Sequence, residues 1–282
     1  MNSIRKILHT RCSSIDIEAY GCVPGYMFDQ GKIGSNSSTS ITQRVAIITA
    51  VTGEAKTPIL TSTRFIRWGS KERNILFDDL QKTRIPNQLC ADYDFPMIGE
   101  ENAKKVLLRT KASNRKLSDI LCSNNRLKLY VPKAVRYFCT AARNDLHRSQ
   151  IELNFLDISS RNMAQILINS SFFYWHWRIF GNGFQVSNRD LQRLPVPSVE
   201  TQEMYQKEIN SMGNRLHRKR KSLAVKKSNK GMIENIKYDN DPKLMYDLDK
   251  LIRTLFELES DYPFHASKEN SLQGYQSHFQ LS

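Results

Sequence analysis

Lys104, Lys105, Arg109, Lys111, Arg115 and Lys116 fall within thirteen residues, with only Glu100, Glu101 and Asp119 close enough in sequence to offset them. Cations at this density either form a solvated helix face or meet a polyanion, because phosphates attract lysine and arginine by charge alone. The whole chain leans the same way: 42 Lys+Arg against 28 Asp+Glu gives +14 over 282 residues. That excess favours nucleic acid as the partner of a soluble chain. A second segment adds Arg189 and Arg193 beside three amides, Asn182, Gln185 and Asn188. Amides of this kind can pair in bidentate fashion with an adenine edge, so these three are the candidate base readers and the eight cations the candidate phosphate contacts.

Other chemistries find little support. The sequence holds no G-x-G-x-x-G, P-loop, nucleophile elbow or His-Glu-x-x-His pattern. Glu54 and Lys56, with Asp29 upstream, have the order of a metal-dependent nuclease motif. Such triplets recur by chance, and this one falls in an expected turn. The six histidines are scattered, and His176 sits among aromatics, where packing is the simpler role. The five cysteines (Cys12, Cys22, Cys90, Cys122, Cys139) include no C-x-x-C pair, so reduced thiols are expected rather than disulfides or zinc. No metal or cofactor site is assigned to the chain. Neither a secretory leader nor a bilayer-length apolar run is visible, and the expected location is the cytoplasm.

The elements that must carry these residues read as a mixed α+β chain. "QRVAIITAV" (Gln43 to Val51) has the continuous apolar character of a strand buried on both faces, and "ILTSTRFIRW" follows as a second strand. Ser70 to Leu80 fits a short helix capped by Ser70, and helical starts are expected after Asn102 and near Ser118. Leu127, Leu129 and Val131 alternate as in a strand, and "QIELNFLDI" is another. From Ser160, Met163, Ile166, Leu167, Ser171 and Tyr174 recur at helical spacing until Gly181-Asn-Gly183 stops the helix. Past Pro197 an amphipathic helix carries Tyr205, Ile209, Met212 and Leu216 into a basic segment expected to end in a loop. A last helix is capped by Asp241 with Pro242 in its first turn, striped by Leu244, Leu248, Leu251, Leu255 and Leu258. The two helices are expected to pair as an antiparallel hairpin.

One stretch, "INSSFFYWHWRIFGNGFQVSNRDLQRLPVP" (Ile168 to Pro197), concentrates two of the three tryptophans, four phenylalanines and three arginines. It resembles the target-recognition region of adenine-specific DNA methyltransferases from type II restriction–modification systems, including fused methylase–endonucleases and the related TaqI-like specificity domains. The residues in family order are Asn169, Ser170, Ser171, Tyr174, Trp175, Trp177, Arg178, Phe180, Gly181, Gly183, Phe184, Asp190, Leu194 and Pro195. Upstream, Arg44, Arg67, Trp68, Glu72, Arg73, Leu76 and Phe77 are similar to the last strands and exit of the methylase core, and Asp249 stands in the register of the family's last helix.

The resemblance implies a division into methyltransferase-like terminal strands (1–68), a mixed α/β recognition domain (69–197), a C-terminal helical hairpin (198–259) and a flexible tail (260–282). It implies sequence-specific recognition of double-stranded DNA, with Tyr174, Trp175, Trp177, Arg178, Phe180, Gly181, Gly183 and Phe184 as a structural motif. The chain departs from the family in having no Asn/Asp-Pro-Pro-Tyr/Phe loop, and indeed no Pro-Pro at all. That loop holds the flipped adenine, and the glycine loop for S-adenosylmethionine is missing too. Catalysis is therefore expected from a separate methyltransferase chain, with S-adenosylmethionine bound there. The alternatives are a restriction endonuclease subunit, or a basic RNA- or DNA-binding scaffold whose aromatics are only core.

Overall fold

The computed structural model describes residues 2–21, 45–53, 57–68, 72, 75–78, 80–123, 126–135, 138–183, 185–228, 232–259 and 262–268. Helices and small sheets alternate along the chain, an α+β architecture. Two compact units divide it: one holds the described residues within Met1–Lys105, Arg178–Gly183 and Ala266–Ser282, the other those within Val106–Trp177 and Phe184–His265. Among the described residues no helix is long and apolar enough to cross a membrane.

The first unit is built on a four-stranded sheet. Helix α1 (Asn2–Arg11) leads into β1 (Cys12–Tyr20), and β2 (Val45–Thr52), β3 (Ile59–Ile66) and β4 (Lys82–Ile85) complete the order β2-β1-β3-β4. The β1/β3 pair is parallel and the other two are antiparallel. Period-two alternation sends Ile15, Ile17 and Ala19 of β1 into the core and turns Asp16 and Glu18 the other way. There both carboxylates accept hydrogen bonds from Lys82 Nζ, at 2.5 and 2.7 Å. The β2 run does not have the two covered faces its composition suggests. As the outermost strand it leaves Ile48 and Val51 exposed (43% and 57%), while Ile47 packs beside the buried cluster of Tyr20, Ile66 and Leu76. A continuous apolar run specifies a strand, but whether both faces are covered depends on layers the run does not encode.

Several expected features of this region fall where little is described. Ser70, Lys71, Arg73, Asn74 and Asp79 lie outside the described residues, and the rest of that expected helix shows a turn closed by Asp78 N–H on Ile75 O (3.1 Å). Asp29, Arg44, Glu54 and Lys56 also lie outside them, as does Cys22. Cys12, Cys90, Cys122 and Cys139 form no disulfide among the described residues, and burial pushes the Cys139 thiol up to about 12.

The second unit opens on the C-terminal part of α2 (Glu101–Lys111), then pairs β5 (Leu127–Pro132) antiparallel with β6 (Gln150–Phe155). Helices α3 (Ile158–Asn169) and α4 (Ser171–Phe180) follow. The single helix expected from Ser160 is thus two. Asp157, not Ser160, is the N-cap of α3; its Oδ1 accepts Ser160 N–H at 2.8 Å, placing Ser160 at the third helical position. Ser170 interrupts the run with an extended backbone (ψ 161°) and turns its hydroxyl back onto Leu167 O at 2.6 Å. The freed N-terminus of α4 is served from far away in sequence: Asp249 Oδ1 accepts Ser171 N–H at 2.9 Å. Helix α4 then ends at Gly181-Asn-Gly183, where Gly183 takes φ 64°, the left-handed conformation glycine tolerates best.

Helices α5 (Asn188–Gln192), α6 (Val199–Met204) and α7 (Gln206–Leu223) lead to the strands β7 (Ala224–Ser228) and β8 (Met232–Ile236), then to α8 (Pro242–Leu255). The basic segment runs through α7 into β7, which pairs antiparallel with β8, and residues 229–231, where the expected loop falls, lie outside the described residues; α7 packs along α3. Gly213 makes that approach possible: a Cβ there would stand 2.8 Å from Asn162 Cγ. Asp241 caps α8 by accepting Leu244 N–H at 3.0 Å, with Pro242 in the first turn. Leu244, Leu248, Ile252 and Leu255 are buried, Ile252 doing what Leu251 was expected to do. Ser260, Asp261 and residues 269–282 of the expected loose tail lie outside the described residues. Within the described part Tyr262 and Phe264 are buried, with Tyr262 OH accepting Trp175 Nε1–H at 3.0 Å.

Candidate nucleic-acid interface

The aromatic stretch is interior. Tyr174, Trp175 and Trp177 are buried, as are Gly181 and Gly183; Phe180 is half-buried, and Phe184 lies outside the described residues. Arg178 is also buried (5% exposed), its guanidinium 3.7 Å from the centroid of the Phe65 ring. Arginine is weakly hydrated for a cation and its plane stacks well on an aromatic face, which makes such burial tolerable. The helix runs two residues beyond Arg178, so the polar segment begins only at Gly181. His176 is buried too, and its pKa is held well below the ordinary 6.5, first by burial and then by the charges of Lys111 and Arg193.

Backbone pairing brings two of the candidate segments side by side within the second unit. Leu117 N–H donates to Leu194 O (2.8 Å) and Val196 N–H to Arg115 O (3.1 Å), making an antiparallel rung of Lys116 with Pro195. Ser113 Oγ donates to Val196 O at 2.7 Å, and Arg115 Nη1 to Pro197 O at 3.0 Å. The turn at Leu117–Ile120 packs against α5, which carries Asn188 and Arg189 and is followed by Arg193. So Arg115 and Lys116, some seventy-five residues from Arg189 and Arg193 in sequence, share one wall with them. Lys111 joins this group through its field at His176.

Three acidic residues here engage groups close to them in sequence. Asp190 closes a capping box with Ser187, accepting Ser187 N–H at 2.8 Å, and Asp119 accepts Lys116 N–H at 2.8 Å. The Glu200 carboxyl is held below its ordinary value by its own backbone amide and Ser198, with Arg115 adding a smaller contribution. Lys116 makes no ion pair among the described residues, and Asn188 and Arg189 are exposed.

The other candidates are distributed differently. Lys104 pairs with Glu101 on its own helix, and Lys105 is exposed beside it; both belong to the first unit, as does exposed Asn182. Arg109 pairs with Glu257 at the surface of the second unit. Gln185 is exposed, its backbone bridging Ala134, while Val186 N–H donates to Lys133 O at 2.9 Å. Lys133 is an exposed cation at that edge which the sequence did not bring forward, since it stands alone in its segment.

Gly21 follows the parallel-paired strand β1, and a Cβ there would meet Ile66 O at 3.1 Å. Among the described residues no group of three or more His, Cys, Asp or Glu could hold a metal ion. No family model matches the chain, and no curated protein or solved structure matches it either.

Proposed function

We propose that this chain recognises double-stranded DNA as the target-recognition component of an N6-adenine DNA methyltransferase of a type II restriction–modification system. The observation that carries the reading is the backbone pairing that brings the segments of Arg115, Lys116, Arg189 and Arg193 together. Cations in such a setting neutralise phosphates and fix register, while Asn188 and Gln185 offer amides for base edges. The likeness of Ile168 to Pro197 to the recognition regions of these enzymes supplies the enzyme class. Methyl transfer would come from a separate catalytic chain, because the Asn-Pro-Pro-Tyr and S-adenosylmethionine loops are not in this sequence.

The test is co-purification with an adenine methylase chain encoded beside it, followed by transfer of labelled methyl groups to duplex DNA. Activity from the pair and from neither chain alone is the expected result. Activity from this chain alone would overturn the assignment of catalysis to a partner. Gel shifts against duplex DNA and RNA at rising salt decide the nucleic acid. Preference for RNA would instead make the chain a basic RNA-binding scaffold, and cleavage of the duplex by this chain would make it an endonuclease subunit.

A further inference from the structure

Away from the wall just described, α3 and α7 hold a second group of cations wired by neutral side chains. Arg143 comes from the loop after β5 and is half-buried. Its Nε donates to Gln165 Oε1 (3.0 Å), and its Nη2 to Asn162 Oδ1 (2.9 Å) and Asn214 Oδ1 (3.1 Å). Asn162 in turn donates to Asn210 Oδ1 at 2.7 Å. Arg143 is therefore clamped on both helices by amides, which fix its plane without cancelling its charge. No hydrogen bond engages its Nη1 among the described residues.

Three more basic residues lie near it on the same two helices. Arg161 lies one residue before Asn162 and one turn before Gln165 on α3; its Nε is buried and makes no hydrogen bond. His217 lies three residues after Asn214 on α7, and its buried Nδ1 makes none either. Arg220, one turn further along α7, donates from Nη1 to Asn144 Oδ1 at 3.1 Å, so it stands beside the Arg143 loop. Their proximity shows in the electrostatics. His217 is lowered from its ordinary value by burial and then by Arg143, Arg220, Arg161 and Lys221, and Arg143 is lowered to about 10 by burial with a further contribution from Arg161. Neither Arg143 nor Arg161 makes an ion pair among the described residues. The charges of Arg143 and Arg161 disfavour one another, and a bound anion relieves that repulsion and meets the buried Arg161 Nε–H donor.

We propose that Arg143, Arg161, His217 and Arg220 form a binding site for a phosphate group, either a phosphodiester of a nucleic-acid backbone or a free phosphate. The forked donors of arginine match phosphate oxygens in pairs. Three guanidinium groups around one anion would make this a stronger contact than any single exposed lysine. The site is separate from the Arg115–Arg193 wall, and inorganic phosphate tests it without assuming the DNA reading.

The experiment titrates the full chain with inorganic phosphate by calorimetry, and with a duplex at several salt concentrations. Arg161→Gln removes a charge whose Nε carries no hydrogen bond among the described residues, Arg143→Gln removes the clamped one, and Lys243→Gln removes an exposed charge in the first turn of α8. Thermal melting confirms that each variant is folded. Saturable phosphate binding weakened about tenfold or more by Arg161→Gln but unchanged by Lys243→Gln is the expected result. If duplex binding also weakens and its salt slope falls by about one, the occupant is a backbone phosphate. If duplex binding is untouched, it is a free phosphate. A loss seen with duplex alone, beyond that of Lys243→Gln, also supports the site as a backbone contact. The proposal is overturned if folded Arg161→Gln matches Lys243→Gln with both ligands. A failure of the wild-type chain to bind duplex, with phosphate binding intact and sensitive to Arg161→Gln, would count against the proposed function alone.

Discussion

Gly213→Ala should destabilise the protein even though alanine is the better helix former. In an exposed helix interior the exchange gains about 1 kcal/mol. Here the new Cβ would lie 2.8 Å from Asn162 Cγ, 2.9 Å from its Cβ and 3.1 Å from its Oδ1, where carbon atoms ordinarily stand about 3.5–4.0 Å apart. Asn162 is fully buried and cannot swing aside without breaking its bonds to Arg143 (2.9 Å) and Asn210 (2.7 Å). If the helices part instead, the packing of α7 on α3 is lost. Overpacking of this kind costs about 1–3 kcal/mol, and leaving a buried amide unmet costs about as much again. Set against the helix-propensity gain, the net loss is about 1–5 kcal/mol. In urea, followed by tryptophan fluorescence, that is a fall in midpoint of about 0.5–2.5 M for an m-value of about 2 kcal/mol/M. The cause can be isolated by repeating the substitution in Asn162→Ala, which removes the Cγ and Oδ1 contacts. The cost of Gly213→Ala should shrink there by more than about 0.5 kcal/mol, the limit within which independent sites add. An equal or raised midpoint for Gly213→Ala in the native background would refute the reasoning outright.

Three other outcomes are expected. Asp249→Ala should lower stability by about 1–3 kcal/mol, because it strands the Ser171 amide at the buried start of α4; Asp249→Asn, which keeps an acceptor, should lose less, and equal losses would argue against the cap. Stability should fall as pH drops below about 6.5, since the unfolded chain takes up a proton there that buried His176 refuses. The depressed folded pKa means this contribution is whole above the unfolded value and disappears on acidification, at up to about 1.4 kcal/mol per pH unit for one group; His176→Phe should flatten that limb in denaturation curves taken from pH 7 to pH 5. Trp177→Ala should cost about 3–5 kcal/mol in unfolding experiments, whereas Arg189→Ala should leave the midpoint unchanged and reduce the salt slope of duplex binding by about one.

The features legible in the sequence are those whose cause is local. Asp241 with Pro242 starts α8, Gly181-Asn-Gly183 ends α4, and the alternation of Leu127, Leu129 and Val131 makes β5, because capping, φ limits and side-chain alternation act within a few residues. The misread features depend on distant partners. Ser170 splits a run with unbroken helical periodicity, and the cap that makes the second helix affordable comes from Asp249, seventy-eight residues on. Asp157 outcompetes Ser160 as the cap of α3 although both are good capping residues, a choice fixed by where the β6 strand releases the chain. Exposure of β2 follows from its place at the sheet edge, which no property of "VAIITAV" announces.

The same distinction governs the cations. A net charge of +14 says that a polyanion is attracted, but not which side chains would meet it. Arg215 and Lys219, in the most basic run of the sequence, are neutralised by Asp247 (2.6 Å) and Asp241 (3.0 Å) of α8. Arg178, in the aromatic motif, is spent on Phe65. Arg143 and Arg161 stand in segments of no unusual charge, yet folding clamps Arg143 between amides, buries the Arg161 Nε without a hydrogen bond, and pairs neither with a carboxylate among the described residues. Density of lysine and arginine along the chain thus overstates Arg215 and Lys219 and overlooks residues 143 and 161. An amide partner orients a guanidinium and preserves its field; a carboxylate partner orients it and cancels the field. Affinity for phosphate should therefore follow Arg143 and the arginine beside it that no carboxylate offsets among the described residues, so that Arg161→Gln weakens anion binding while Arg215→Gln, which breaks a pair with Asp247, leaves it near the level of the native chain.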